Sequence, residues 1–493
     1  MRKKRVIIIG AGFSGLSAAS FLGKDGWQVD VYEKNETPGG RARNFSAGGF
    51  TFDMGPTWYW MPEVFENFFG SFGKKVEDYY ELQRLDPGYR MFFSKNEHLD
   101  VPASYQELLE MFENIEPGSS KKLDIFLKEA EYKYEVGVKN VVFKPGKSAF
   151  EFLDRRLLAG IIRLDFFRSL SKVVRSNFKD QRLIRILEFP VIFLGATPQK
   201  TPALYSLMNY ADLKLGTWYP TGGMYSVIEG MYKLAREEEV NFHFNAEVTS
   251  IRVKNNYAEG IMVNGKFESA DVVIASADYA HVDQYLLSSA HRQYSPKYWA
   301  NRDMAPSALL FYLGLNKRIK KLEHHNLFFD ENFEKHADVI YDNPSWPEKP
   351  AIYVSASSKT DASIAPKNSE NIIVLIPVAP GLKDTEEIKQ MYYDMVIDRI
   401  EKITGDTIRD HVVFKRSYAQ SDFINDYHAY KGNAYGLSNT ILQTAFLKPK
   451  MHHKNIRNLL FTGQLTTPGP GVPPTIISGE VAAREASKLT LKV

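Results

Sequence analysis

Residues 5–34, RVIIIGAGFSGLSAASFLGKDGWQVDVYEK, constrain the fold more than any other stretch of this chain. Arg5 to Ile9 is a β-branched run and reads as a strand buried on both faces of a parallel sheet. Gly10, Gly12 and Gly15 follow it. Gly10 permits a tight turn out of the strand. Gly12 lets the backbone approach a diphosphate with no Cβ in the way. Gly15 lets the next helix lie close on the strand. The spacing predicts a helix over Phe13 to Lys24, its free N-terminal amides aimed at phosphate. A second strand ends at Glu33, 23 residues after Gly10, where a carboxylate accepts hydrogen bonds from a ribose. A fortuitous glycine-rich turn would lack the flanking strands and the acid, so the segment reads as a dinucleotide-binding βαβ unit.

At 493 residues the chain needs more than one core. Its net charge of +3 is too small for a whole-molecule electrostatic role. It has no Cys, which excludes disulfides, thiolate metal sites, Cys nucleophiles and Cys-tethered flavin, and fits a reducing cytoplasm. The start, MRKKRVIIIGAG, has only a short apolar run before the glycine motif and reads as a strand, not a signal peptide. No apolar run approaches the roughly 18 residues of a membrane span.

Just past Glu33 the chain reads GGRARNFSAGGFTFDMGPTW, with a glycine turn at Gly39 and Gly40 followed by the cation Arg41. The set GxGxxG, Glu33, GGR and FDMGPT resembles the large flavoprotein family that includes monoamine oxidases, protoporphyrinogen oxidase and carotenoid desaturases. The resemblance implies FAD as cofactor. It implies Gly40 and Arg41 against the ribose or phosphates, and Met54, Gly55, Pro56 and Thr57 near the flavin. In that family the C-terminal segment returns to complete the FAD site. Here LLFTGQ would be the last strand of the nucleotide-binding sheet, ending at Gly463 and Gln464, and TTPGPGVPPTIISG would deliver a helix start, Val472 and Pro473, to the flavin. A helix N-terminus suits the negative charge of a reduced flavin. Pro473 and Pro474 remove donors that would go unpaired there, and Gly469 and Gly471 let the backbone pass close to a ring. Many relatives carry an acid where this chain has Gln464. By the same resemblance, the backbone of Val248 in AEVTSI meets the adenine end.

Two further stretches, FLGATPQKTPALYSLMNYADLKLGTWYPTGGM and GQLTTPGPGVPPTIISGE, resemble bacterial phytoene desaturases and their carotenoid-acting relatives more narrowly. The expected fold class is α/β. A discontinuous Rossmann-like FAD-binding domain (1–85, 215–285 and 455–493) joins a mixed-sheet substrate domain (86–135 and 286–454) and a helical, membrane-associating subdomain (136–214). From Arg155 to Arg185 there are nine Lys/Arg against two Asp, with apolar residues at helical spacing: Leu153, Leu157, Ile161, Leu164, Phe166, Leu170, Val173 and Val174. Such a basic amphipathic stretch reads as a membrane-surface contact, or as a charged helix packed by its apolar face.

The expected reaction is FAD-dependent desaturation of phytoene toward lycopene-type carotenes. A hydride leaves one carbon for the flavin and a proton leaves its neighbour. The expected partners are a hydrophobic carotenoid, a membrane surface, and quinone or oxygen as electron acceptor, with no nucleic acid. The expected location is cytoplasmic and peripheral to the membrane. Trp58, Tyr59 and Trp60 are candidates for an apolar substrate wall or for plain core. Asp53, Asp154 and Glu229 qualify as general bases by residue type only. The pairs His324–His325 and His452–His453 are expected to diverge, so no metal site is expected. The alternatives are a carotenoid isomerase, a desaturase of a later carotenoid, a flavin amine oxidase, or a flavin-stabilised scaffold.

Overall fold

A computed structural model of the chain describes residues 3–138, 142–148, 151, 168–440 and 443–489. Its first layer is a five-stranded, wholly parallel sheet drawn from distant parts of the sequence. The order across it is Leu459–Phe461, Val272–Ala275, Arg5–Ile9, Gln28–Tyr32 and Asn241–His243. Ile8 pairs with Val31 on one side and Ile274 on the other. With helices covering both faces, every residue of the central strand except Arg5 is buried, which explains its unbroken apolar run. Helix Phe13–Lys24 packs against the C-terminal helix Val472–Leu489, where a Cβ on Gly479 would lie 2.3 Å from the Ser14 carbonyl. Ser17 Oγ donates to the Ile476 carbonyl at 2.7 Å across the same contact.

The second layer is a seven-stranded sheet in the order Val412–Tyr418, Ser307–Leu315, Glu370–Val378, Ile352–Ser355, His325–Phe328, Tyr89–Ser94 and Glu97–Val101. Only His325–Phe328 against Tyr89–Ser94 runs parallel. Helix Glu386–Thr404 covers one face through Tyr392, Val396, Ile397 and Ile400, and stops at Gly405 in the left-handed conformation. A three-stranded antiparallel meander, Val248–Lys254, Tyr257–Val263 and Lys266–Ser269, flanks the first layer.

One sequence reading needs correction. The last parallel strand ends at Phe461, not Gln464, because Gly463 turns the chain with φ +108°. Within the basic stretch, residues 152–167, which hold Asp154 and most of the apolar positions, lie outside the described residues. The described part is committed inward. Leu170 and Val174 of helix Leu170–Asn177 are fully buried, Arg175 pairs with Glu188 at 3.0 Å, and Arg185 pairs with Glu334 at 2.6 Å. There helix Leu170–Asn177 packs by its apolar face. Among the described residues no helix is long and apolar enough to cross a membrane.

Candidate functional site

A cavity of about 400 Å³ extends from the C-terminal edge of the parallel sheet to one face of the seven-stranded sheet, within the range of small-molecule sites. Gly10, Gly12, Glu33, Gly40, Arg41, Gly55, Pro56, Thr57, Val248, Gly463, Gln464, Val472 and Pro473 all line it. Gly15 does not. A Cβ there would sit 2.0 Å from the Gly10 carbonyl oxygen, so this glycine holds the helix against the turn.

The polar end is built by the strand ends. Glu33 is buried and accepts from the Ala11 amide at 2.9 Å and from the backbone and side chain of Asn35 at 3.0 and 2.9 Å. Gly12 has extended backbone (φ −77°, ψ −178°), and a Cβ on it would meet no protein atom within 4 Å. Arg41 donates to the Asn433 carbonyl at 3.3 Å, lies 4.0 Å from Asp278, and stands over the Tyr427 ring. Its Nε is buried without a hydrogen-bond partner, and burial pulls the guanidinium below its ordinary pKa. Such a cation calls for an anion. Burial raises the Asp278 pKa, with Arg41 opposing that shift.

The proline-glycine stretch is ordered through Ser478. This fully buried side chain accepts from the Gly463 amide at 3.1 Å and from Thr462 Oγ1 at 2.9 Å, and donates to the Thr467 carbonyl at 2.8 Å. Gly469 and Gly471 have φ of +140° and +109°, which side-chain-bearing residues rarely adopt. Pro473 and Pro474 occupy the first turn of the helix, where missing amides cost nothing. Gln464 donates to Asn433 Oδ1 at 3.2 Å, so it reaches the loop that also faces Arg41.

The apolar end is walled by Trp58, Trp60, Met61, Met208, Ala308 and Leu310. Leu310, Leu375 and Tyr353 form one cross-strand row on the sheet and all face the cavity. Tyr59 does not line it. It is core, stacked on Phe65 and hydrogen-bonded to Tyr80.

The general-base candidates resolve differently. Asp53 receives the Met224 and Tyr225 amides at 2.8 and 3.1 Å and so caps a helix start, with burial raising its pKa to about 7. Glu229 lines a separate surface pocket. The rings of His324 and His325 do not diverge, since their centroids are 4.4 Å apart. Among the described residues no three metal-ligating side chains cluster. Sequence reasoning missed Asp278, Asn433, Ser478 and Tyr353. Asp278, Asn433 and Tyr353 lie far from the motifs they serve, whereas Ser478 lies inside the C-terminal stretch it orders, where the Ser-Gly pair offered a local signal.

Comparison with known proteins agrees with this geometry. Residues 13–487 match the family model for flavin-containing amine oxidoreductases. A carotenoid 3,4-desaturase of Haloarcula japonica is 41% identical over 97% of both chains. A zeta-carotene-forming phytoene desaturase of Myxococcus xanthus is 31% identical over 97% of this chain and 93% of its own. An oxidoreductase of Methanosarcina mazei shares the fold, with a TM-score of 0.64 at 17% identity over 96% of this chain and 98% of its own. The chain belongs to the flavin-containing amine oxidoreductase family, and FAD is the cofactor that family and site agree on.

Proposed function

From that membership, we propose that the chain is an FAD-dependent carotenoid desaturase. The observation that supports it most is the cavity itself. A polar end opens directly onto a wall of aromatic and aliphatic side chains that, among the described residues, offers no charged group to anchor an amine. Gly12 and the helix start at Phe13 would hold the diphosphate, with Arg41 neutralising it. Glu33 would hold the adenosine ribose and Val248 the adenine. Gly40, Gly55, Pro56, Thr57, Gly463, Gln464, Val472 and Pro473 would surround the rest of the cofactor. Bound FAD supplies a two-electron acceptor that takes a hydride from the substrate. The protein aligns the polyene along Leu310 and Leu375 and excludes water.

Phytoene is one substrate. The higher identity to the carotenoid 3,4-desaturase than to the phytoene desaturase favours a later, more conjugated carotenoid as a second reading. We also propose that the parallel-sheet segments, the seven-stranded sheet and residues 136–214 act as FAD-binding, substrate-binding and membrane-facing units. The last rests on the charge of residues 155–185, and reduced FAD would pass its electrons to quinone or oxygen. The test is anaerobic incubation of FAD-loaded protein with liposomes carrying phytoene in one arm and a more conjugated carotene in the other. Flavin bleaching with longer-wavelength polyene bands is expected. A flavin left oxidised in both arms, with FAD loading and liposome binding verified, overturns the assignment.

A further inference from the structure

Desaturation of a CH–CH unit releases a hydride and a proton. Oxidised FAD takes the first, and the second needs an acceptor at the cavity wall. Asp53 and Glu229 are engaged elsewhere. Of the four residues that the seven-stranded sheet's strands turn into the cavity, Ala308, Leu310, Leu375 and Tyr353, only Tyr353 carries a polar group. Its hydroxyl lies 2.7 Å from Thr57 Oγ1 and 2.7 Å from Nδ1 of His325.

Resting on the desaturase reading, we propose that Tyr353 is the catalytic proton acceptor and that His325, acting through it, takes up the proton. With Thr57 donating to Tyr353 and Tyr353 donating to Nδ1, Ser355 and Trp58 stand beside the same phenol oxygen, and substrate entering the cavity takes the place of one of them. The substrate proton goes to that oxygen while the Tyr353 proton passes to Nδ1. The C–H electron pair becomes the new π bond, and the adjoining carbon's hydrogen leaves with its electron pair to oxidised FAD. The products are C=C, reduced FAD and an imidazolium.

His325 is built for this task. It is fully buried, and its Nε2 has no hydrogen-bond partner. Its ring lies stacked on Trp58, centroids 4.0 Å apart and planes 10° apart. An indole face favours a cation. Burial holds the resting imidazole well below its ordinary pKa, so the Nδ1 lone pair is available at neutral pH. A carbon that is losing hydride from its neighbour is a strong acid, so a weak base suffices. On the outer side stand His324, Tyr219 and Asp361. His324 is bonded at 2.7 Å to the half-buried Thr360, and Tyr219 donates to Asp361.

The test compares native enzyme with Tyr353→Phe and His325→Gln, all FAD-loaded. Single-turnover flavin reduction by carotenoid should slow by about 10²-fold in Y353F and less in H325Q. KM should stay unchanged, and deuterium on the deprotonated carbon should give a larger isotope effect in both. Independently of turnover, the ¹⁵N resonance of His325 Nδ1 should move in Y353F. Variants that reduce flavin at the native rate with an unchanged isotope effect, or a His325 resonance indifferent to Y353F, overturn the relay alone. Native enzyme that leaves its flavin oxidised with every carotenoid overturns the desaturase reading and the relay with it.

Discussion

Gly12 and Gly15 sit three residues apart in one motif, yet substitution by alanine should damage different things. At Gly15 an added Cβ would lie 2.0 Å from the Gly10 carbonyl oxygen, where ordinary contact begins at 3.4 Å. The helix must therefore retreat from its strand by roughly 1 Å or more, in a close-packed layer. Overpacking of this kind costs about 1–3 kcal/mol. Gly12→Ala meets no protein atom within 4 Å and keeps an ordinary φ of −77°. The protein alone should be unchanged, or steadier by about 0.4–1 kcal/mol through a less flexible unfolded chain. What G12A blocks is the approach of a diphosphate. Losing one charge-assisted hydrogen bond costs about 1.5–3 kcal/mol, a rise in Kd of roughly 10- to 150-fold. Urea unfolding of flavin-free protein and FAD titration by fluorescence quenching separate the two. G12A should fall only in the titration, whereas G15A should fall first in the unfolding curve. A G12A variant that binds FAD like the native protein, or a G15A variant of native stability, refutes the argument.

Arg41→Met should weaken FAD binding by at least tenfold and lower the flavin-free protein's melting temperature, because it leaves the buried Asp278 carboxylate without its cation; an unchanged or higher melting temperature would contradict this. Ala308→Leu, on the substrate wall, should raise KM for a long carotenoid roughly tenfold and leave FAD affinity alone, as steady-state kinetics and titration can check. Lys448 is buried, bonded to Asn439 at 2.8 Å beside Gly469, and burial lowers its pKa to about 7. Between pH 7 and the ordinary lysine value the unfolded chain holds a proton that the native chain has lost, so this group's contribution to stability rises with pH. Lys448→Met should therefore be more stable than native at pH 7, with the gap closing toward pH 10 in paired urea titrations; a gap independent of pH would rule the lysine out.

The parts of the fold legible in the sequence were those whose cause is local. Arg5–Ile9, helix Phe13–Lys24 and the capped helix Glu386–Thr404 each carry their own periodicity or stop signal. The nucleotide end of the site was legible for the same reason: glycines at fixed spacing state a backbone requirement. Tyr353 and His325 were not legible. A tyrosine in a strand reads as packing, and whether its hydroxyl meets a cavity depends on the cross-strand row it shares with Leu375 and Leu310. The histidine pair was misread because His324 precedes the strand that His325 begins, and alternation does not hold across that boundary. The end of the last strand slipped by three residues because nothing in the sequence TGQ forbids extended backbone, whereas Gly463 turns the chain in space.

The division of the cavity explains why one chain must return to its beginning to finish its site. A parallel sheet presents its loops at one edge, and a ligand bound there is open on the far side. The first βαβ unit offers amides and Glu33 but nothing to cover a flexible cofactor. Helix Val472–Leu489 packs on helix Phe13–Lys24 through Gly479, and Ser478 in the same turn ties down the loop from Gly463 to Thr467. One helical turn thus sets both the depth of the nucleotide cradle and the position of the loop that closes it. Loosening Gly479 should accordingly impair the cover as well as the cradle. Gly479→Ala, whose Cβ would lie 2.3 Å from the Ser14 carbonyl, is expected to weaken FAD binding and expose the loop to proteolysis together. Loss of one without the other would mean that the two ends of the site are not mechanically coupled.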